Sequence, residues 1–249
     1  MFDFEKTRLW RESLGRPTHG PLRRERERLK AAFLSLRKNA ALLAGEIPRD
    51  FDFLTVHDIT HLDALWEMAD LVTPKDERLS PVEGFVLGGA FLIHDLGMGL
   101  AAYPEGFDTL RLRPEFKDIV TVLLTAKLGR RPSAEELDRP DETVTNEAKF
   151  TFIRSLHATR AEELVFTAWT DKASGRNYYL LEDPELRESL GPIIGKIAHS
   201  HWWPVTELRN GFKRPLGAPA GLRSGPIDTL KLACILRIAD AVHIDTSCP

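Results

Sequence analysis

Residues 81–97 read PVEGFVLGGAFLIHDLG. From Pro81 to His94 the run is apolar nearly all round, and Pro81 suits the first turn of a helix. A helix without a polar face has to be covered on every side, so the run predicts a central, buried helix. It ends on His94-Asp95, followed by Leu96-Gly97-Met98-Gly99. A carboxylate at the end of a buried helix is costly without a partner. An isolated His-Asp dipeptide would need only a cap and a hydrogen bond. The rest of the chain decides whether this pair is isolated.

Outward from that helix the apolar spacing is helical throughout. Leu29, Phe33, Leu36, Ala40 and Leu43 recur at three- and four-residue steps after Pro21, predicting a helix to Ala44. Ile59, Leu62, Leu65, Trp66, Ala69 and Val72 predict a second, stopped by Pro74. Helices also fit residues 115–128, 143–169, 184–202 and 226–244. No alternating strand pair stands out, and 178–181 is the best short strand candidate. Polar connections fall at 129–146, 171–183 and 204–225; the last carries Arg209, Lys213, Arg214 and Arg223. Long loops of this kind in a compact domain are commonly functional. The expectation is an all-α fold: a helical bundle with loop insertions over residues 51–249, with a helical extension over 1–50 packed on it.

Composition bounds the chemistry. The chain has 249 residues, 43% hydrophobic and 29% charged, which is ordinary globular usage. A net charge of −3 gives no support for a broadly basic nucleic-acid binder. Only two cysteines occur, Cys234 and Cys248, which excludes a disulfide scaffold and argues against a thiolate zinc site. Metal chemistry has to use histidine and carboxylate, and there are eight histidines. No apolar run approaches the ~20 residues of a membrane span. The N-terminal MFDFEK lacks the order of a signal peptide, so a cytoplasmic location with no membrane partner is expected. The apolar segment near Ile244 stops abruptly at Cys248-Pro249, which looks as much like a cut through a longer protein as a natural end.

The histidines then form a series. His61 borders the apolar face of the second helix, with His57 about one turn before it. His157 shares a stripe with Ile153, Ala161 and Leu164, flanked by Arg154 and Arg160. His201 continues the stripe Ile194, Ile197, Ala198, whereas His199 lies about 200° round the helix from it. Asp240 sits inside the apolar run Leu236–Val242, where only a partner such as Arg237 or a metal would justify it. His19 and His243 fall outside this neighbourhood. Taken singly, each residue is more often structural. Together, His61, His94, Asp95, His157, His201 and Asp240 come from successive helices, as metal sites in helical bundles do. Nitrogen and oxygen ligands without thiolate suit Zn, Fe, Mn, Ni or Mg, and Asp95 is the candidate to bridge two ions.

The order His61, His94-Asp95, Asp240 resembles the H…HD…D signature of the HD-domain superfamily of metal-dependent phosphohydrolases. The segment 54–66, LTVHDITHLDALW, also resembles HD domains of bacterial conflict-system effectors, some of which precede a GHKL-type ATPase. The resemblance covers about Leu54 to Asp245 and implies an HD-type bundle holding one or two divalent ions. It implies that His61, His94, Asp95 and Asp240 hold the first ion and that His157 and His201 complete a second around Asp95. Binuclear relatives often carry an adjacent His-His pair where this chain has His199-Ser200-His201. No GYP motif and no lysine after the HD pair support cyclic-di-GMP specificity, and the loop 98–106 lacks the histidine of deoxynucleotide triphosphohydrolases.

The implied activity is hydrolysis of a nucleotide or nucleic-acid phosphoester by metal-activated water. Asp95 would bridge the ions or orient the water, and His57 would orient a ligand or touch substrate. Arg160, with Arg154 and Lys196, would neutralise phosphate charge, and the basic 204–225 loop is a further phosphate-contact candidate. The partner is a phosphorylated small molecule or nucleotide, with nucleic acid or a C-terminal ATPase domain of the same chain as further expectations. The alternative is a regulatory HD module that binds metal or nucleotide and signals to a partner domain without turnover.

Overall fold

A computed structural model of the chain describes residues 3–16, 20, 22–51, 58–219 and 221–243. Its long helices are α1 (Arg23–Ala44), α2 (Ile59–Val72), α3 (Pro81–Ile93), α4 (Pro114–Leu128), α5 (Glu142–Leu164), α6 (Pro184–His199) and α7 (Thr229–Val242). Short helical turns link them, and the strands among the described residues are β1 (Trp169–Thr170) and β2 (Asn177–Tyr178), paired antiparallel. The fold is all-α, as the periodicity predicts.

Helix α3 is the centre because it has no wet face. Every residue from Pro81 to Ile93 is buried, and α1, α2, α6 and α7 pack around it. Ser80 and Glu83 form a reciprocal capping box at its start, satisfying two otherwise orphaned amides. Gly88 lets two aromatic side chains reach the helix backbone: a Cβ there would meet Trp66 at 2.5 Å and Phe33 at 2.6 Å. Those rings belong to an aromatic cluster in which Trp10 lies 4.8 Å from Phe33, tilted, and 5.4 Å from Trp66, edge to face. Leu9, Trp10 and Leu14 share one continuous core with α1, α2 and α3.

A salt-bridged clamp joins α3 to α7. Glu83 accepts from the Asp228 amide at 3.2 Å, and Lys231 Nζ lies 3.0 Å from both Glu83 and Glu77. Helix α5 packs on α4, on α6 and on the turn Leu96–Met98 that follows the His-Asp pair. These packings bring the C-terminal ends of α3, α6 and α7 beside the middle of α5.

Several boundaries differ from the sequence reading, among them the start of α7, which falls at Thr229 rather than 226. The helix expected over 143–169 stops at Leu164, and Trp169 enters β1, where its indole donates to the Ala101 carbonyl at 3.0 Å. The helix expected to reach Trp202 tightens at Ser200 into a 3-10 turn, Ser200–Trp202. The strand expected at 178–181 begins one residue earlier and ends at Tyr178. Connections read as loops also carry short helices, Ala134–Asp138 and Val205–Gly211.

Candidate metal centre

The site is built where five helices end or pass. His94 caps the C-terminus of α3, Asp95 follows it, His61 lies in the first turn of α2, and Asp240 lies in the last turn of α7. His157 comes from the buried stripe of α5 and His201 from the 3-10 turn after α6. Ligand atoms of His61, His94, Asp95 and Asp240 all lie within 4.8 Å of one another, as do those of Asp95, His157 and His201. The two groups share Asp95.

Three of the histidines are oriented in the same way. Nδ1 of His94 donates to the Phe91 carbonyl at 3.0 Å, Nδ1 of His157 to Arg154 at 2.5 Å, and Nδ1 of His201 to Ala198 at 2.6 Å. A carbonyl only accepts, so the proton sits on Nδ1 and Nε2 is the atom turned toward the cluster. Fixing a tautomer through the far nitrogen is the usual support of a metal-binding imidazole. His94 is fully buried, and its Nε2 makes no hydrogen bond of normal geometry; it faces Asp95 Oδ2 at 3.3 Å and Asp240 Oδ1 at 3.5 Å. On the other side, Asp95 Oδ1 stands 3.7 Å from His157 Nε2 and 3.5 Å from His201 Nε2. Each oxygen of Asp95 therefore serves a different group.

Ion–ligand bonds of ~2.1 Å put neighbouring ligands roughly 3.0–3.5 Å apart in octahedral or tetrahedral arrangements. The separations here, 3.0 to 3.7 Å, match that spacing. The donor set thus fits one or two divalent ions of the N/O-preferring kind.

Electrostatics point the same way. Burial opposes a charge on His94, yet Asp95 and Asp240 raise its pKa well above the ordinary imidazole value, so the proton there stands in for a cation. Burial likewise opposes ionisation of Asp95, but His94, His201 and His157 hold its carboxyl well below the usual carboxylate range. Burial pushes the pKa of His157 down, and that of His201 down to about 4, leaving both rings neutral and able to coordinate at neutral pH.

The remaining candidates fall elsewhere. His57 lies outside the described residues. Arg160 is tied to protein groups: it donates to the Ala102 carbonyl at 2.7 Å, pairs with Glu163 at 3.0 Å and Glu105 at 3.3 Å, and covers the Tyr103 ring. It thereby fastens α5 to the loop after the His-Asp pair. Lys196 donates to the Gly211 carbonyl at 3.0 Å and, with Lys213 and Arg214, lines a cavity of about 600 Å³. His199 pairs with Glu162 at 2.5 Å and is not among the clustered ligand atoms, consistent with its position round the helix from His201. Arg237 does not pair with Asp240; it caps the end of α6 by donating to the Ser200 and Trp203 carbonyls at 2.6 and 2.5 Å.

One expectation is corrected. His243 does belong to the neighbourhood: its Nδ1 lies 2.9 Å from His61 Nδ1, and the ring centroids are 4.7 Å apart. The signal was present as the spacing Asp240 to His243, one helical turn on the same helix.

Comparison with known proteins agrees with this geometry. No curated protein and no solved structure matches the chain. A family model described as HD-CE matches residues 51–247, which span all six clustered ligands. Its extent and the paired His/Asp groups place the chain in the HD-CE family.

Proposed function

We propose that the chain is a metal-dependent phosphohydrolase that cleaves a nucleotide or nucleic-acid phosphoester. The observation that carries this reading is the division of Asp95, with Oδ2 toward His94 and Oδ1 toward His157 and His201. A carboxylate shared in this way can hold two cations a few ångströms apart. The chemistry divalent ions supply in such a site is activation of water near neutral pH and withdrawal of charge from a phosphoryl oxygen.

The chain's own residues define the rest. His61, His94 and Asp240 hold one side of Asp95, and His157 with His201 hold the other. The backbone carbonyls of Phe91, Arg154 and Ala198 keep the imidazoles in the coordinating tautomer. Asp240, with 29% of its side chain exposed, gives the first group an opening to solvent.

The test is elemental analysis of the purified protein, followed by a panel of phosphomonoesters and phosphodiesters with Mn, Fe, Ni, Zn and Mg added in turn. Metal-dependent hydrolysis that is lost in Asp95→Ala, with the helical content retained, supports the reading. Full metal-dependent activity in that variant sinks it. Tight nucleotide binding without turnover under every metal would make the chain a regulatory module.

A further inference from the structure

Trp202 directly follows the ligand His201 but is 53% exposed. Its neighbour Trp203 is stacked on Phe212 at 5.6 Å, so the two indoles are treated differently by the fold. The Trp202 ring stands edge to face against His157, with centroids 4.8 Å apart, and 6.2 Å from the His201 ring. The turn that aims His201 also positions this indole, and Arg237 fixes that turn from α7 through the Ser200 and Trp203 carbonyls. An aromatic surface in water is therefore held in direct contact with a buried candidate ligand.

Arg154 stands over the same ring, its guanidinium carbon 5.6 Å from the centroid. It is exposed, lies one turn before His157 on α5, and makes no ion pair among the described residues. Arg160, on the same helix, is held by two glutamates. Within α5, then, Arg154 keeps its fork available for an anion while Arg160 does not.

We propose that Trp202 and Arg154 form the recognition shelf of the metal centre: the base of a nucleoside phosphate stacks on Trp202, and Arg154 takes a phosphate oxygen. Every base presents a π-face to an indole, and a guanidinium matches phosphate through parallel N–H donors. This rests on the phosphoester reading above and assigns the base and phosphate of its substrate to two named side chains. A sugar phosphate would meet Arg154 but gain nothing from Trp202.

The test uses the purified, metal-loaded chain and two probes: a phosphonate isostere of AMP, whose P–C bond cannot be hydrolysed, and the same ribose phosphonate without the base. Titration calorimetry is expected to show the first binding roughly 5- to 150-fold more tightly, the range of base–aromatic stacking. Trp202→Leu should erase this preference, Trp202→Phe should keep most of it, and Arg154→Ala should weaken both probes. Elemental analysis and thermal melting accompany each variant. If Trp202→Leu loses metal or structure, Trp202→Gln, which suits a half-wet position, replaces it. Absence of a base preference in the parent protein, or its persistence in a folded, metal-loaded Trp202→Leu or Trp202→Gln, overturns the shelf. The readout is binding, so it stands apart from turnover. Base-selective binding without hydrolysis refutes the phosphohydrolase and keeps the shelf. Hydrolysis without base preference does the reverse.

Discussion

The Nε2 atoms of His157 and His201 face each other at 3.0 Å while Nδ1 of each is committed to a carbonyl of its own helix. With both rings neutral, two lone pairs point at one another beside Asp95, an arrangement relieved by a cation between them. Replacing either histidine by alanine is expected to reduce bound metal from two ions per chain to one. Elemental analysis after exhaustive dialysis checks this, and two ions retained in His157→Ala would show that His157 holds neither ion.

Asp95 serves both groups, so its loss should differ in kind from loss of either histidine. Asp95→Asn keeps the shape and removes the charge. The expected result is loss of both ions, with circular dichroism unchanged. A variant that keeps one ion at full occupancy would show that Asp95 does not bridge.

His243 supports His61 through the Nδ1–Nδ1 contact of 2.9 Å. Removing such an outer partner commonly costs about 10- to 100-fold in metal affinity. His243→Ala should therefore weaken one of two metal-binding steps and spare the other. Competition with a chelator resolves the steps; equal weakening of both, or of neither, contradicts the assignment.

Gly97 lies against α5 with no room for a side chain. A Cβ there would sit 2.8 Å from His157 Cα and closer still to its carbonyl oxygen. Gly97→Ala must push the turn after His94-Asp95 away from α5, at a cost of about 1–3 kcal/mol. It should lower the melting temperature and the metal content together. A rise in stability would show that the two segments are not packed as described.

Lys231 joins α7 to α3 by pairing with Glu83 and Glu77. Burial opposes its charge, but the two carboxylates win and raise its pKa above the ordinary 10.5. A raised lysine contributes stability that is fully present below the unfolded value and lost as pH climbs through the folded one. Lys231→Met should therefore destabilise the protein by about 1–3 kcal/mol at pH 7, largely because the buried Glu83 charge loses its cationic partner. The gap between parent and variant should narrow as pH climbs through the raised folded-state value of Lys231, measured by urea unfolding. A gap that persists there would assign the effect to packing.

Much of the helical framework was legible because apolar spacing and capping are local. The bounds of α2, 59–72, follow directly from its apolar residues and the Pro74 stop. Pro81 and a nearly continuous apolar run announce α3 in the same way. The end of α5 was not legible, because Trp169 leaves the helical path for a hydrogen bond to Ala101, 68 residues earlier in the chain. Such partners carry no local sequence signal.

The same division runs through the site. By itself the sequence determined which residue types were available and which helix each would ride on: His61, His94-Asp95, His157, His201 and Asp240, with no thiolate competitor. A buried carboxylate at the end of an apolar helix already demanded a cationic partner. Only the tertiary structure decided how those residues divide. It turned one oxygen of Asp95 to His94 and the other to His157 and His201, brought His243 against His61, and occupied Arg160 with two glutamates. These outcomes depend on the angles at which helices cross and on contacts between residues far apart in the chain. Periodicity states which face of a helix is buried, but not what that face meets.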